Sequence, residues 1–180
     1  MPLAAVPPRP ALNQSPNARI LGLDPGSLVT GYAIVECVGT QSQYLASGSI
    51  RTRGESFPRR LEDIFSAVSN LVLEWQPQEI AIEKIFMHRN ADSALKLGQA
   101  RGAALAGTFV ARATVFEYSP REVKLAVVGT GAAQKEQVQL MVKRLLRLTG
   151  AMGADAADAL AIALCHAHTR RLSQLLDAAR

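Results

Sequence analysis

Three strand-like segments lie close together near the N-terminus, and the links that join them are too short to contain a helix. These segments are residues 19–24, 30–36 and 44–51. The first link begins with Pro-Gly-Ser at residues 25–27, a combination typical of turns. Consecutive strands with such short links pair antiparallel, so this part of the chain is predicted to form a meander.

Helix and strand patterns alternate in the rest of the chain. Apolar residues recur at helical spacing in residues 57–75 and the pattern stops at Pro77. Further strands are predicted at residues 79–85 and 114–117, and further helices at residues 90–112, 120–128, 134–148 and from 155 to the C-terminus. The order β-β-β-α-β-α-β-α-α-α predicts an α/β fold with a mixed five-stranded sheet flanked by helices.

Composition excludes several classes of protein. No apolar run approaches the roughly 20 residues that span a bilayer. Two cysteines, Cys37 and Cys165, are too few for a disulfide scaffold or a four-cysteine zinc site, which favours a reducing, cytoplasmic compartment. The net charge of +5 favours a polyanionic partner. Aromatic residues make up 5% of the chain, which argues against a surface that stacks single-stranded bases.

The N-terminal segment has a different composition. It holds five of the nine prolines within its first 17 residues. We therefore expect residues 1–18 to be a disordered, proline-rich extension and residues 19–175 to form a single domain.

Four carboxylates occupy unusual positions. Asp24 ends the first strand, and Glu83 lies on the same strand face as Ala81 among apolar neighbours. Asp155 and Asp158 are three residues apart, which puts both on one helix face. Each acid alone has an ordinary interpretation, as a turn former, a solvent-facing strand residue or a helix cap.

Together the four acids could converge at one end of the sheet, where they would repel each other without a cation. Ligands that are all oxygen suit Mg²⁺ or Mn²⁺. Two such ions about 4 Å apart are typical of phosphodiester hydrolysis. The turn at residues 24–27 also resembles the phosphate-binding hairpin of actin, hexokinase and Hsp70-type ATPases. That fold needs a second, similar half, and 180 residues are too few for two.

The chain resembles the bacterial RuvC family of Holliday-junction resolvases from about residue 19 to about residue 168. The matching segments are residues 20–27, 30–32, 81–87, 90–102, 116–118, 123–124 and 154–161. The block at 90–102 (NADSALKLGQARG) is very specific, whereas the turn after Asp24 is not. The resemblance implies an RNase H-like fold and Mg²⁺-dependent, paired nicking of four-way DNA junctions in recombination and repair. It also implies that Asp24, Glu83, Asp155 and Asp158 are the catalytic, metal-binding acids.

Contacts with DNA are also predicted. Lys124 and Lys135 match basic positions of the family that contact DNA near the cleaved bond, and Arg121 could join them. The resemblance extends this set to Asn90 and Phe86. Phe86 has two interpretations, a core residue or a wedge that stacks on an unpaired base, and the resemblance favours the wedge. Residues 143, 144 and 147 are basic and are interpreted as a solvated face.

The sequence and the family resemblance also predict protein partners. Glycines in the helix at 90–112 indicate close backbone packing, either on its own sheet or in a homodimer, and the two-fold symmetry of a junction favours the dimer. The resemblance also implies a branch-migration motor complex as a partner. His166 and His168 are expected at a helix end or near DNA rather than in a zinc site. An inactive junction-binding module and a nuclease for RNA–DNA hybrids remain alternatives.

Overall fold

A five-stranded mixed sheet forms the centre of the protein. The computed structural model describes Ser15, residues 17–84 and residues 90–179. The strands are β1 (Asn17–Asp24), β2 (Val29–Val38), β3 (Gln41–Arg51), β4 (Glu79–Glu83) and β5 (Thr114–Tyr118). Their order is β3-β2-β1-β4-β5; the first three pair antiparallel, β4 runs parallel to β1 and β5 parallel to β4. The predicted meander and mixed sheet are confirmed.

Helices cover both faces of this sheet. They are α1 (Phe57–Trp75), α2 (Ala91–Thr108), α3 (Pro120–Val128), α4 (Lys135–Leu145) and α5 (Ala154–Ala178). One apolar core joins the sheet to α1 and α2, and a second joins the opposite face to α3, α4 and α5. No helix in the described part of the chain is long and apolar enough to cross a membrane. The predicted α/β class is confirmed.

The bounds of α1 and α3 agree with the sequence prediction because both helices carry clear end signals. Ser119 and Glu122 form a capping box at the start of α3, where Pro120 is the first helical residue. Helix α1 ends at Gln76, whose left-handed φ of 48° stops the helical hydrogen bonding.

Other predicted bounds were wrong. Helix α2 ends at Thr108, four residues early, because the Phe109 N–H bonds to the Ala106 carbonyl in a tighter turn. Helix α4 ends before Arg147, which adopts a φ of 53°. Strand β1 begins at Asn17, inside the predicted extension, because it pairs with Val38 at the end of β2. Residue 85 and residues 1–14 lie outside the described residues.

A buried polar network joins α5 to β4 and β5. Glu79 Oε2 lies 2.9 Å from both His166 Nε2 and Arg170 Nε, and Tyr118 Oη lies 2.7 Å from His166 Nδ1. Burial raises the pKa of Glu79, but the hydrogen bonds and charges of His166 and Arg170 outweigh it and lower the pKa overall. The expectation that His166 lies at a helix end or near DNA was wrong, because it is needed to pair a carboxylate inside the core.

Candidate active site

Two of the predicted acids come together because of strand register. Strands β1 and β4 are parallel neighbours in which Leu23 lies opposite Ile82. The next residues, Asp24 and Glu83, are the last of their strands and therefore end side by side. Since alternate residues share a face, both acids are on the side of the sheet that packs against α5.

Helix α5 approaches this corner so closely that two strand positions have no room for a side chain. A Cβ atom at Gly22 of β1 would overlap the carbonyl oxygen of Ala159. A Cβ atom at Gly31 of β2 would overlap the carbonyl oxygen of Asp155. The two glycines thus let the first turns of α5 rest directly on the sheet, beside Asp24. Sequence reasoning missed them, although glycine inside a strand is a recognised signal of close backbone approach.

The acids and two lysines line a single cleft, which we call the acidic cleft. Its volume is about 240 Å³, and its charged lining residues are Asp24, Glu83, Asp158, Lys124 and Lys135. Apolar residues of α3, α4 and α5 complete the wall. The structure therefore brings together three of the four predicted acids and two of the predicted DNA contacts.

The fourth predicted acid, Asp155, is not among the described lining residues of the acidic cleft. It belongs to the first turn of α5 and lines a neighbouring cavity that also includes Lys143 and Met152. Its charge nevertheless contributes to the raised pKa of Asp24. Asp155 is thus within electrostatic reach of the acidic cleft.

Burial and mutual repulsion perturb the carboxylates. Burial, followed by the charges of Glu83 and Asp158, raises the pKa of Asp24 to about 7. Burial and the charge of Asp158 likewise raise the pKa of Glu83. Acids that destabilise each other in a concave site are typical of functional centres, where a cation or substrate offsets the repulsion.

Lys135 supplies part of the opposing charge. Its Nζ lies 2.6 Å from Oδ2 of Asp158, and this hydrogen bond raises the pKa of the lysine. The lysine side chain is 52% exposed, so the pair is weak and easily exchanged.

The donor set fits a hard divalent cation. Among the described residues, no group of three or more His, Cys, Asp or Glu side chains stands close enough to hold a metal ion as placed. The donors around the acidic cleft are nevertheless all carboxylate oxygens, which suit Mg²⁺ and Mn²⁺. A divalent cation would also relieve the repulsion that raises the pKa of Asp24. The side chains of Asp24, Glu83, Asp155 and Asp158 are the ones available to it.

Arg101 of α2 contacts the end of β4 that carries Glu83. It was assigned no role from the sequence. Its Nε donates a hydrogen bond of 3.1 Å to the main-chain carbonyl of Glu83. Its Nη2 pairs with Glu117 of β5. Beside them, the Lys84 N–H donates to the carbonyl of Tyr118, also in β5, at 2.8 Å. These bonds hold the end of β4 where Glu83 is displayed.

Two other predicted DNA contacts, Asn90 and Arg121, are not among the described lining residues of the acidic cleft. Asn90 caps α2, where its Oδ1 accepts hydrogen bonds from the main-chain N–H groups of Asp92 and Ser93. Arg121 is exposed on α3 and packs across Gly131. Phe86 is outside the described residues, so its predicted role as a wedge stays a prediction.

The sequence matches a known family over most of its length. Residues 20–166 match the family model of crossover junction endodeoxyribonuclease RuvC. A RuvC from Shewanella sp. strain ANA-3 is 56% identical over 154 residues, which cover 86% of this chain and 89% of that protein. The relative from Shewanella oneidensis is 55% identical with the same coverage.

Solved structures agree with this match. The fold is similar to that of T. thermophilus RuvC in complex with a Holliday junction substrate, with a TM-score of 0.81 and 34% identity. That comparison covers 87% of this chain and 97% of the other. A yeast mitochondrial Holliday junction resolvase, Ydc2, has the same fold at 14% identity, with a TM-score of 0.63 and coverage of 89% and 82%.

Proposed function

Because this chain belongs to the RuvC family of crossover junction endodeoxyribonucleases, we propose that it resolves four-way DNA junctions at the acidic cleft, by paired, symmetric nicks. It is an endonuclease with an RNase H-like fold, and it depends on a divalent metal. The observation that carries the proposal is the convergence of Asp24, Glu83 and Asp158 beside two lysines in one cleft.

The carboxylates are the proposed ligands of two Mg²⁺ ions, for which Mn²⁺ can substitute. Asp24 has the central place, since its pKa responds to Glu83, Asp158 and Asp155. Activation of water and neutralisation of the leaving oxygen are the chemistry that such ions supply when bound. The products are a 5′-phosphate and a 3′-hydroxyl. A cation held there would lower the raised pKa of Asp24 and so favour its ionised, ligating form.

The lysines have a different task in this proposal. Lys124 and Lys135 face the carboxylates across the cleft and attract the DNA phosphate that would otherwise be repelled. Lys135 exchanges its partner, Asp158, for a phosphate oxygen when DNA enters. Arg121 joins the lysines in contacting DNA, Asn90 is a further contact, and Phe86 is the wedge that stacks on an unpaired base at the crossover.

A homodimer explains how two matched nicks are made. On α2, Leu95 is 62% exposed, and a Cβ atom at Gly98 or Gly102 would meet no atom of the described residues within 4 Å. Of the glycines in this helix, Gly107 packs tightly, against Phe65 and Val68 of α1. An apolar helix face with open glycines suits a symmetry mate, and a two-fold dimer presents two identical sites to a junction.

Three further assignments rest on the family resemblance. The predicted nuclease domain of residues 19–175 is one domain, widened to Asn17 and Ala178 by the bounds of β1 and α5. The protein works with the branch-migration motor of the same pathway. Its compartment is the bacterial cytoplasm.

The test is cleavage of a synthetic four-way junction and of a matched linear duplex, with Mg²⁺, Mn²⁺ or EDTA. We expect paired nicks in the junction alone, lost with EDTA and in Asp24→Asn. Glu74→Gln is the matched control, because Glu74 is an exposed acid of α1 that lies outside the acidic cleft. Cutting without metal, or equal cutting of the linear duplex, would contradict the proposal. Tight binding without cutting by the unaltered protein would favour the alternative of an inactive junction-binding module.

A further inference from the structure

The turn that follows Asp24 folds tightly onto the start of β2. It comprises residues 25–28 and joins the end of β1 to the beginning of β2. A Cβ atom at Gly26 would overlap the main-chain carbonyl oxygen of Val29, so only glycine fits there without a shift of the main chain. The main chain therefore doubles back on itself within five residues of Asp24.

Thr30 of β2 bonds to this turn through its hydroxyl group. The Thr30 Oγ1 donates a hydrogen bond of 3.2 Å to the Gly26 carbonyl and accepts one of 3.3 Å from the Gly26 N–H. A single hydroxyl can make both bonds because it has one proton and two lone pairs. Thr30 is 0% exposed, so water does not compete for its hydroxyl. One buried side chain thus satisfies both main-chain polar groups of Gly26.

A second threonine holds the other end of the turn. The Leu28 carbonyl accepts hydrogen bonds from the Thr52 N–H at 3.1 Å and from the Thr52 Oγ1 at 3.2 Å. Thr52 comes directly after β3, whose last residue, Arg51, pairs with Val29 of β2. The turn is therefore tied both to β2 and to the end of β3.

The same segment of β2 also contacts α5. Gly31 is the register partner of Asp24 and lies against the carbonyl oxygen of Asp155. Because side chains alternate along a strand, Thr30 faces the same side as Tyr32, which packs with α1 and α2, whereas Gly31 faces α5. Two consecutive residues thus fix the turn after Asp24 on one face of the sheet and the start of α5 on the other.

Asp24 needs such support because its neighbours repel it. The charges of Glu83 and Asp158 oppose the ionised form of Asp24, which would move away from them if the chain beyond β1 were loose. Groups that act together at a reaction centre must be held within a fraction of an ångström by the residues behind them.

We propose that Thr30 is a positioning residue whose hydroxyl, by holding Gly26, keeps Asp24 beside Glu83 in a geometry ready for a divalent cation. The inference rests on the proposed function, because it concerns the same acidic cleft. It assigns to Thr30 no contact with the cation or with DNA.

Two substitutions at Thr30 separate the hydroxyl from the volume of the side chain. Thr30→Val keeps the branched shape and leaves both polar groups of Gly26 without their partner. Thr30→Ser keeps the hydroxyl and removes a buried methyl group. Thr40→Val is the matched control, because Thr40 is exposed in the β2–β3 turn at the opposite end of β2.

Two measurements without DNA test the proposal. Amides of residues 26–28 should exchange at least about tenfold faster in Thr30→Val than in the unaltered protein, with EDTA present. The Mg²⁺ concentration that raises the melting temperature by about 2 °C should be about 5–20-fold higher in Thr30→Val. Thr30→Ser and Thr40→Val should stay close to the unaltered protein in both measurements.

Cleavage of a four-way junction provides a third measurement. At a low Mg²⁺ concentration, single-turnover cleavage by Thr30→Val should be about 10–100-fold slower, and added Mg²⁺ should recover part of the loss. Thr30→Ser should retain most of the rate, although the lost methyl group lowers its stability in urea.

The proposal is overturned if Thr30→Val matches the unaltered protein in amide exchange and in Mg²⁺ requirement. It is also overturned if Thr30→Ser is the more impaired variant, because the methyl group and not the hydroxyl would then matter. Should Thr30→Val fail to fold, Thr52→Val loosens the other end of the turn and should show the same changes at about 2–5-fold. No change in Thr52→Val would then overturn the proposal.

Failure of the proposed function would look different. An unaltered protein that cuts no junction would refute the proposed function, while the two measurements without DNA would still decide whether Thr30 positions Asp24.

Discussion

Neutralising one acid of the cleft should stabilise the protein in the absence of metal. The perturbation is Asp24→Asn, which keeps the size of the side chain and removes its charge. Burial, together with the charges of Glu83 and Asp158, raises the pKa of Asp24 from 3.8 to about 7. At about 1.4 kcal/mol per pKa unit, the ionised carboxylate lowers the free energy of unfolding by about 4 kcal/mol.

The pH dependence follows from the sign of that shift. The folded protein binds the Asp24 proton more tightly than the unfolded chain does, so stability declines as pH rises from about 4 to about 7. Above that range the full penalty is present. Asp24→Asn should therefore match the unaltered protein near pH 4 and exceed it near pH 8, where its melting temperature should be higher by about 8–16 °C.

Thermal unfolding in EDTA at several pH values measures this difference. Glu74→Gln is the control, because it removes an exposed charge and should leave the melting temperature within about 1 °C at every pH. Added Mg²⁺ should raise the melting temperature of the unaltered protein and narrow its gap to Asp24→Asn. Equal melting temperatures near pH 8 without metal, or a gap that is the same at every pH, would refute the reasoning.

Three other substitutions test the framework of the site. Gly22→Ala should destabilise the fold by about 2–4 kcal/mol in urea unfolding and abolish cleavage, because the added methyl pushes α5 off the sheet. Arg101→Ala should slow single-turnover cleavage by about 10–100-fold by freeing the end of β4, and a rate equal to that of the unaltered enzyme would contradict that role. Glu79→Gln should cost about 3 kcal/mol in urea unfolding, since it removes the negative charge that pairs with buried Arg170, and a loss below about 1 kcal/mol would show that the network is dispensable.

Local signals in the sequence predicted the order of the elements and the corner where the acids meet. Turn residues after Asp24 and the helical period of residues 57–75 depend on neighbours in the chain, so they can be recognised without a structure. The four acids were singled out from their positions in the sequence, the family resemblance implied the same four, and their individual roles stay predictions.

Features that depend on distant contacts could not be predicted in the same way. Glu79 and Arg170 are 91 residues apart, and nothing near either residue indicates that they pair. His166 was misplaced for this reason, because only the packing of α5 on β4 and β5 shows that it is buried. The end of α2 was missed because Phe109 and Val110 continue an apolar pattern, although both are exposed after the helix has ended.

The register between β1 and β4 restricts how the gene can change in length. Leu23 lies opposite Ile82, so Asp24 and Glu83 reach the same corner only while both strands keep their residue count. One inserted or deleted codon within β4 would turn Glu83 from the α5 side to the side covered by α1 and α2. Compensation would need a second change of one residue in the same five-residue strand. Insertions and deletions are therefore expected to accumulate in the loops, such as the links on either side of α1, and to be purged from β1 and β4.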